Sequence, residues 1–272
     1  TTFGKGGPAM AYETIIYEKK GRIVYSTLNR PHRLNALNMK MMQEMEQAWK
    51  QFSADDEAWV AIVTGAGRAM CVGADVKEMA EGDIKFARTA RDETLEKLRW
   101  GPRRNRVMKP VIAAINGACC GGGLDFATES DVVICSDDAQ FFDPHVTVGL
   151  VSAHEMIEMS RRIPLGLTLR MAVMGGADRM DAQRAYQVGL VSEVVPRERL
   201  MQRANELAQL ILEQAPLAVQ NTKQLILDTY HLPLEEACEV GEYLRRENVD
   251  TEDIYEGPKA FAEKRKPVWK GR

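Results

Sequence analysis

The chain has 272 residues, 45% of them apolar and 28% charged, and a formal net charge of -3. That length and apolar content support one large buried core, or a core with an appendage, and exclude a disordered tail. The slightly acidic balance gives no electrostatic footprint for nucleic acid, and no apolar run nears the ~20 residues that would cross a bilayer.

Five cysteines, Cys71, Cys119, Cys120, Cys135 and Cys238, form neither a C-x-x-C pair nor a regular framework. They read as reduced thiols of a soluble cytoplasmic protein, and no metal site is expected from them. Residues 1–9, rich in Gly and Thr, read as a flexible leader. In YETIIYEKKGRIVYSTLNR two β-branched runs flank Lys19-Lys20-Gly21, which predicts a hairpin. Asn38 then caps a predicted helix on which Met42, Met45, Trp49 and Phe52 recur at helical spacing, the pattern of a core-facing stripe.

WVAIVTG reads as a buried strand, and GADVKEMAEG as the start of a helix running, long and charged, to about Trp100. KPVIAAINGAC is a second buried strand, followed by three glycines, a helix at LDFATE and a third strand at DVVICS. Repeated strand-then-helix units with continuous apolar strands indicate an α/β fold with buried sheets. After GLVSEVVP at 189–196 the character changes. Leu200, Ala204, Leu207 and Ile211 mark an amphipathic helix, and 216–230, 233–248 and 252–264 look helical too. The predicted organisation is a core over 10–196 and a helical region over 197–272.

Two glycine-associated turns carry the candidate chemistry. CVGAD at 71–75 follows one strand and GGGLD at 121–125 another, and each leads into a helix. Free amides at helix starts stabilise developing negative charge, and glycine lets a ligand approach the backbone. If the Ala74 and Gly122 N–H groups converge, they form a two-donor oxyanion hole. Two ordinary strand-to-helix connections fit the same residues. Asp125 and His145 stand twenty residues apart as candidate proton carriers; a helix cap or salt bridge, and a turn residue, are their plainer readings. His154 and Glu155 are further candidates, or simply open a solvent-facing helix. The charged run DETLEKLRWGPRRNR reads as a helical surface whose arginines could also reach a phosphate.

Five segments in order, RPHRLNALN, CVGADVKEM, KPVIAAINGACCGGGLDFATESDVVICSDDAQF, GADRMDAQRAYQVGLVSEVV and FAEKRKPVWKGR, make the chain resemble the crotonase superfamily, the enoyl-CoA hydratase and isomerase family. The resemblance implies a spiral of ββα units followed by a helical trimerisation region, assembled as a homo-oligomer, a trimer or hexamer. It implies coenzyme A thioester substrates, with the coenzyme part of the substrate and no separate cofactor or metal. It places the oxyanion-hole amides at Ala74 and Gly122. Arg33, Leu34, Ala36, Asp75, Val76 and Gly121 fall where the family holds the CoA nucleotide and pantetheine. Lys266 and Trp269 resemble a closing segment that touches the CoA of a neighbouring subunit.

The chain departs from the family at its proton carriers. Family hydratases carry glutamate at the positions of Asp125 and His145, and a glycine-rich stretch where this chain has VSAHEMIEMSRR. Asp125 is one methylene, about 1.5 Å, short of glutamate's reach. An imidazole has an ordinary pKa of ~6.5 and suits proton transfer near neutrality. The leading expectation is enoyl-CoA hydration, dehydration or double-bond movement through an enolate, with Asp125 and His145 as acid and base. The alternatives are hydrolytic C–C cleavage of a β-diketone or β-keto thioester, with His145 oriented by Asp125 or Glu155, and an acyl-CoA binding protein without turnover.

Overall fold

The computed structural model describes residues 12–82, 99–247 and 250–272. The expected leader at 1–9 and most of the helix expected up to Trp100 lie outside them. The hairpin is present: β1 (Ile15–Lys20) pairs antiparallel with β2 (Ile23–Leu28), and Gly21 takes the left-handed φ of 61° that the turn requires.

Helix α1 (Met39–Ala54) begins where the Asn38 side chain accepts a hydrogen bond from Met41 N at 2.9 Å, a cap worth about 1 kcal/mol. Its buried face carries Met41, Met42, Met45, Ala48, Trp49 and Phe52. Full burial of each large side chain contributes roughly 1.5–3 kcal/mol, so packing rather than helix propensity holds α1 in place.

Strand β3 (Val60–Gly65) is followed by β4 (Ala69–Cys71) and α2 (Val76–Glu81); β5 (Val111–Ile115) by β6 (Ala118–Cys120) and α3 (Leu124–Glu129); β7 (Val132–Ser136) by β8 (Gln140–Phe142) and α4 (His154–Met159). Each unit gives its first strand to a large sheet and its second to a small one. The chain thus winds as a spiral of ββα units. Helix α5 (Leu165–Met174), strand β9 (Met180–Asp181), helix α6 (Ala182–Gln187) and strand β10 (Glu193–Val195) complete it. The large sheet has the order β1-β2-β3-β5-β7-β10, parallel after the hairpin, and the small sheet β4-β6-β8-β9.

KPVIAAINGAC, expected as one strand, is two. Gly117 at φ 148° turns the chain between sheets, and the Asn116 amide fixes the corner by donating to Gly65 O at 2.7 Å and Gly67 O at 2.9 Å. Helix α2 ends at Glu81, where Gly82 takes φ 84°.

The large sheet is buried on both faces, so its strands read as unbroken apolar runs. Ala61, Val63, Val111, Ala113 and Ile115 belong to the core that includes α1 and the glycine turns. Val60, Ile62, Ile112, Ala114 and Ile134 pack with Leu200, Ala204 and Ala208 of α7 (Leu200–Leu212) on the other face. Helices α8 (Pro216–Thr229), α9 (Leu234–Glu247) and α10 (Asp253–Ala262) follow. They leave Tyr230, Leu234, Tyr243 and Phe261 exposed. Among the described residues no helix is long and apolar enough to cross a membrane.

Candidate active site

The two glycine turns abut. A methyl group on Gly73 would lie 3.4 Å from both Gly121 Cα and Gly122 N, and one on Gly121 would lie 3.4 Å from Gly73 Cα and 3.6 Å from His145 Cε1. Gly73 and Gly121 also hold left-handed φ angles of 82° and 52°, so any other residue adds strain as well as bulk. A methyl on Gly123 would overlap the Cys71 carbonyl oxygen. The GGG run therefore lets the second turn seat against the first.

Hydrogen bonds fix both turns without using the amides of interest. Leu37 N donates to Gly73 O at 2.8 Å, Asp75 N to Leu37 O at 2.9 Å, and Leu124 N to Gly121 O. Trp100 Nε1 donates to Gly122 O at 2.8 Å, and Trp49 Nε1 to Trp100 O at 2.7 Å. The Ala74 and Gly122 N–H groups take part in none of these bonds.

His145 opens the short 3-10 turn after β8, and its ring stands beside Gly121. Nδ1 hydrogen-bonds the Oδ1 of Asp143, and Nε2 lies 3.9 Å from Glu155 Oε1. Asp143 has no solvent exposure, whereas the His145 side chain keeps 20% of its own. Burial by itself lowers the His145 pKa. The hydrogen bond to Asp143 and the charges of Glu155 and Asp143 outweigh it, so the pKa stands above its ordinary value. Glu155, buried on the first turn of α4, also accepts a long bond from Ser152 Oγ at 3.4 Å.

Among the described contacts Asp125 makes no hydrogen bond to His145. The fully buried carboxylate on α3 forms an ion pair with Arg104. Arg104 Nε donates to Glu129 Oε1 at 2.6 Å, its main-chain N to Glu129 Oε2 at 2.9 Å, and its guanidinium lies 4.7 Å from the Trp100 ring centre. Arg103 pairs with Glu158. Burial raises the Asp125 pKa well above its ordinary value against the pull of Arg104, and Glu155, Glu129 and Glu158 raise it further. Carboxylate oxygens of Asp125, Glu129 and Glu158 lie within 4.8 Å of one another, but the cation among them is Arg104 itself. The surface role expected for this arginine run fails at Arg104, which is drawn inward by acids on α3.

The remaining candidates fall into two groups. Arg33, Leu34 and Ala36 lie beside the first turn: Leu34 is left-handed at φ 52°, and Leu37 bridges to Ala74. The Asp75 carboxylate already has two tasks, capping α2 through Lys77 N at 3.2 Å and pairing with Arg30 at 3.0 Å. The Asp75 main-chain N–H and carbonyl are used as well, by Leu37 O at 2.9 Å and Met79 N at 3.0 Å. Val76 is exposed. His154 is exposed at the start of α4 and makes none of the contacts around His145. Lys266 and Trp269 are not brought to the site within one chain. They hold Glu213, Lys266 Nζ by an ion pair at 2.9 Å and Trp269 Nε1 through its carbonyl at 2.7 Å, on the α7 side of the large sheet.

Asp143 is the residue that sequence reasoning missed. The available signal was local: an aspartate two positions before a candidate histidine, with only Pro144 between them.

Comparison with known proteins agrees with this architecture. The family described as enoyl-CoA hydratase/isomerase matches residues 18–272. The chain is 38% identical over 263 residues to a carnitinyl-CoA dehydratase of Proteus mirabilis, covering 93% of this chain and 97% of that protein. It is 35% identical over 276 residues to the carnitinyl-CoA dehydratase of Citrobacter koseri, covering 96% and 99%. A crystal structure of an enoyl-CoA hydratase/isomerase from Mycobacterium paratuberculosis superimposes with a TM-score of 0.90 at 44% identity, covering 96% of this chain and 100% of that one.

Proposed function

The chain belongs to the enoyl-CoA hydratase/isomerase family, and we propose that it adds water to, or eliminates it from, the C2–C3 bond of an acyl-CoA thioester. The observation that carries this reading is the seating of the Ala74 and Gly122 turns against each other with the His145 ring beside Gly121. The thioester oxygen accepts from the two free amides as C2 gains carbanion character. A donor of this kind contributes ~3 kcal/mol to such a transition state. In hydration the oxygen of water bonds to C3 while its proton passes to one member of the His145–Glu155 pair, and the other member delivers a proton to C2. Elimination runs the same steps backwards. Nε2 and Oε1 are 3.9 Å apart, so a single water oxygen about 2.8 Å from each bridges them from one side.

Asp125, held by Arg104, shapes the wall of the site rather than transferring a proton directly. No group besides the coenzyme A of the substrate is needed. Arg33, Leu34, Ala36, Asp75, Val76 and Gly121 border the CoA entrance in this reading, and Lys266 and Trp269 serve a neighbouring subunit. The exposed Tyr230, Leu234, Tyr243 and Phe261 support an oligomer built on the C-terminal helices.

A second reading rests on one observation: the site has a single imidazole held by a carboxylate, where two free carboxylates would serve a hydratase. That arrangement also suits water attack on a β-keto carbonyl with C–C cleavage. Mass spectrometry after incubation with enoyl-CoA, 3-hydroxyacyl-CoA and β-keto-CoA thioesters and cyclic diketones separates the two. Gain or loss of one water, abolished in His145→Gln and Glu155→Gln and retained in part by Asp125→Asn, is expected. A cleaved keto substrate would replace this reading with the hydrolase, and binding without any product would leave neither.

A further inference from the structure

We infer that Asp143 is a positioning residue that pins His145 as the Nδ1–H tautomer, so that Nε2 is the working nitrogen and faces Glu155 beside the glycine turn. The inference rests on the acid–base role given to His145 above and adds to it which nitrogen moves the proton.

The geometry is specific. Asp143 Oδ1 is in hydrogen-bond contact with the Nδ1 of His145 and accepts, at a weak 3.4 Å, from its main-chain N–H. Pro144 lies between them with φ at -87°, which fixes the approach of the carboxylate to the ring. An ionised carboxylate accepts only, so a nitrogen bonded to it carries the proton and the other is left bare in the neutral ring. Nε2 is the bare one, 3.9 Å from Glu155 Oε1.

Asp143 as a mere cap for the 3-10 turn does not account for its burial. A neutral asparagine would accept the same main-chain bond. Here a carboxylate with no solvent exposure leaves its Oδ2 without a partner among the described residues. Burying such a charge is costly unless a cation stands close. The ring that gains a proton at Nε2 becomes that cation.

The other groups around the pair do not take its place. Glu155 is the acid across Nε2. Cys120, behind Asp143, has its thiol pushed up to about 12 by burial and the Asp143 charge against the pull of Arg179, so it stays neutral. Arg179 itself lies over the Phe142 ring at 4.4 Å. The arrangement is thus carboxylate, imidazole, reacting oxygen, carboxylate, with Asp143 acting only through His145.

Nitrogen-15 and proton NMR of the 272-residue chain tests this, with His145→Gln assigning the signal among its four histidines. The expected result is a downfield Nδ1–H proton and, at alkaline pH, an Nε2 shift typical of an unprotonated ring nitrogen. In Asp143→Asn the His145 titration midpoint falls below that of the wild type. There kcat drops on the order of 10²-fold or more with KM changed less than about threefold. A wild-type ring protonated at Nε2 overturns the inference, and this arm needs no variant to fold. An unchanged midpoint in folded Asp143→Asn overturns it as well. Wild-type protein that turns over no thioester removes the catalytic reading, while the NMR result still decides the tautomer.

Discussion

Two polar clusters meet near Glu155, and they keep buried carboxylates in different company. Around Arg104, the acids Asp125 and Glu129 are neutralised by a guanidinium braced on Trp100, and Glu158 by the neighbouring Arg103. Around His145, Asp143 and Glu155 flank an imidazole that keeps some contact with solvent. A guanidinium does not give up its proton in a protein, so the cation of the first cluster holds shape and field and is no proton carrier. An imidazole flanked by acids can do so near neutrality. Neighbouring acids of similar burial are thus assigned to structure or to chemistry by the cation they surround.

The comparison breaks most easily at its two cations. His145→Gln is expected to lower kcat by about 10²–10⁴-fold and to move the urea midpoint less than Arg104→Ala, because a glutamine can still donate a hydrogen bond to Asp143. Arg104→Ala is expected to do the reverse. Removing one partner of a buried ion pair costs roughly 3–5 kcal/mol, which denaturant titration would measure, while the His145 NMR titration of the remaining folded protein stays close to wild type. Equal destabilisation by the two substitutions would erase the distinction between the clusters.

Much of this fold was legible because it is written in periodic burial. The hairpin, the Met42–Met45–Trp49–Phe52 stripe, the apolar runs of β3, β5 and β7 and the C-terminal helices all repeat at strand or helix spacing. β4, β6 and β8 were not legible from the residues alone, since three residues are too few to show a period. The corner at Asn116 and Gly117 hides inside an apolar run. At the site, the glycine turns and the spacing from Asp125 to His145 could be read from residue type and resemblance. The partners could not, because Arg104 meets Asp125 across twenty-one positions and sits in a run whose charge suggested solvent. Asp143 was adjacent in sequence, yet Asp-Pro-His reads first as a turn.

A smaller effect tests how closely the glycine turn and the imidazole are fitted. Gly121→Ala places a methyl 3.6 Å from His145 Cε1 in a backbone at φ 52°. The left-handed conformation alone costs about 1–2 kcal/mol for an L-residue, and the contact is within ordinary packing distance. The expected result is a modest loss of stability with His145 still titrating, and a fall in kcat smaller than that of His145→Gln. A Gly121→Ala protein as inactive as His145→Gln would mean that the turn, not the ring, limits the chemistry.

The smallest expected effect lies in the pH dependence of stability, where the sign separates the clusters again. The His145 pKa is raised in the folded protein: burial opposes the shift, but the Asp143 bond and the Glu155 charge exceed it. Between the ordinary histidine value of about 6.5 and that higher folded value, the folded chain binds more proton than the unfolded one. His145 therefore stabilises fully below about pH 6.5, and its contribution fades as pH rises through the folded pKa. Asp125 and Glu129 are also raised, chiefly by burial, so their contribution declines in the same direction from a lower starting pH, near the ordinary carboxylate range. Urea titrations from pH 5 to 9 on wild type and Asp143→Asn isolate the histidine part. The variant should lose less stability than the wild type as pH rises above about 6.5, since its ring no longer gains a proton from folding. Parallel curves would show that the Asp143 carboxylate does not hold the His145 proton, and would place the pH response of this region with the Arg104 acids.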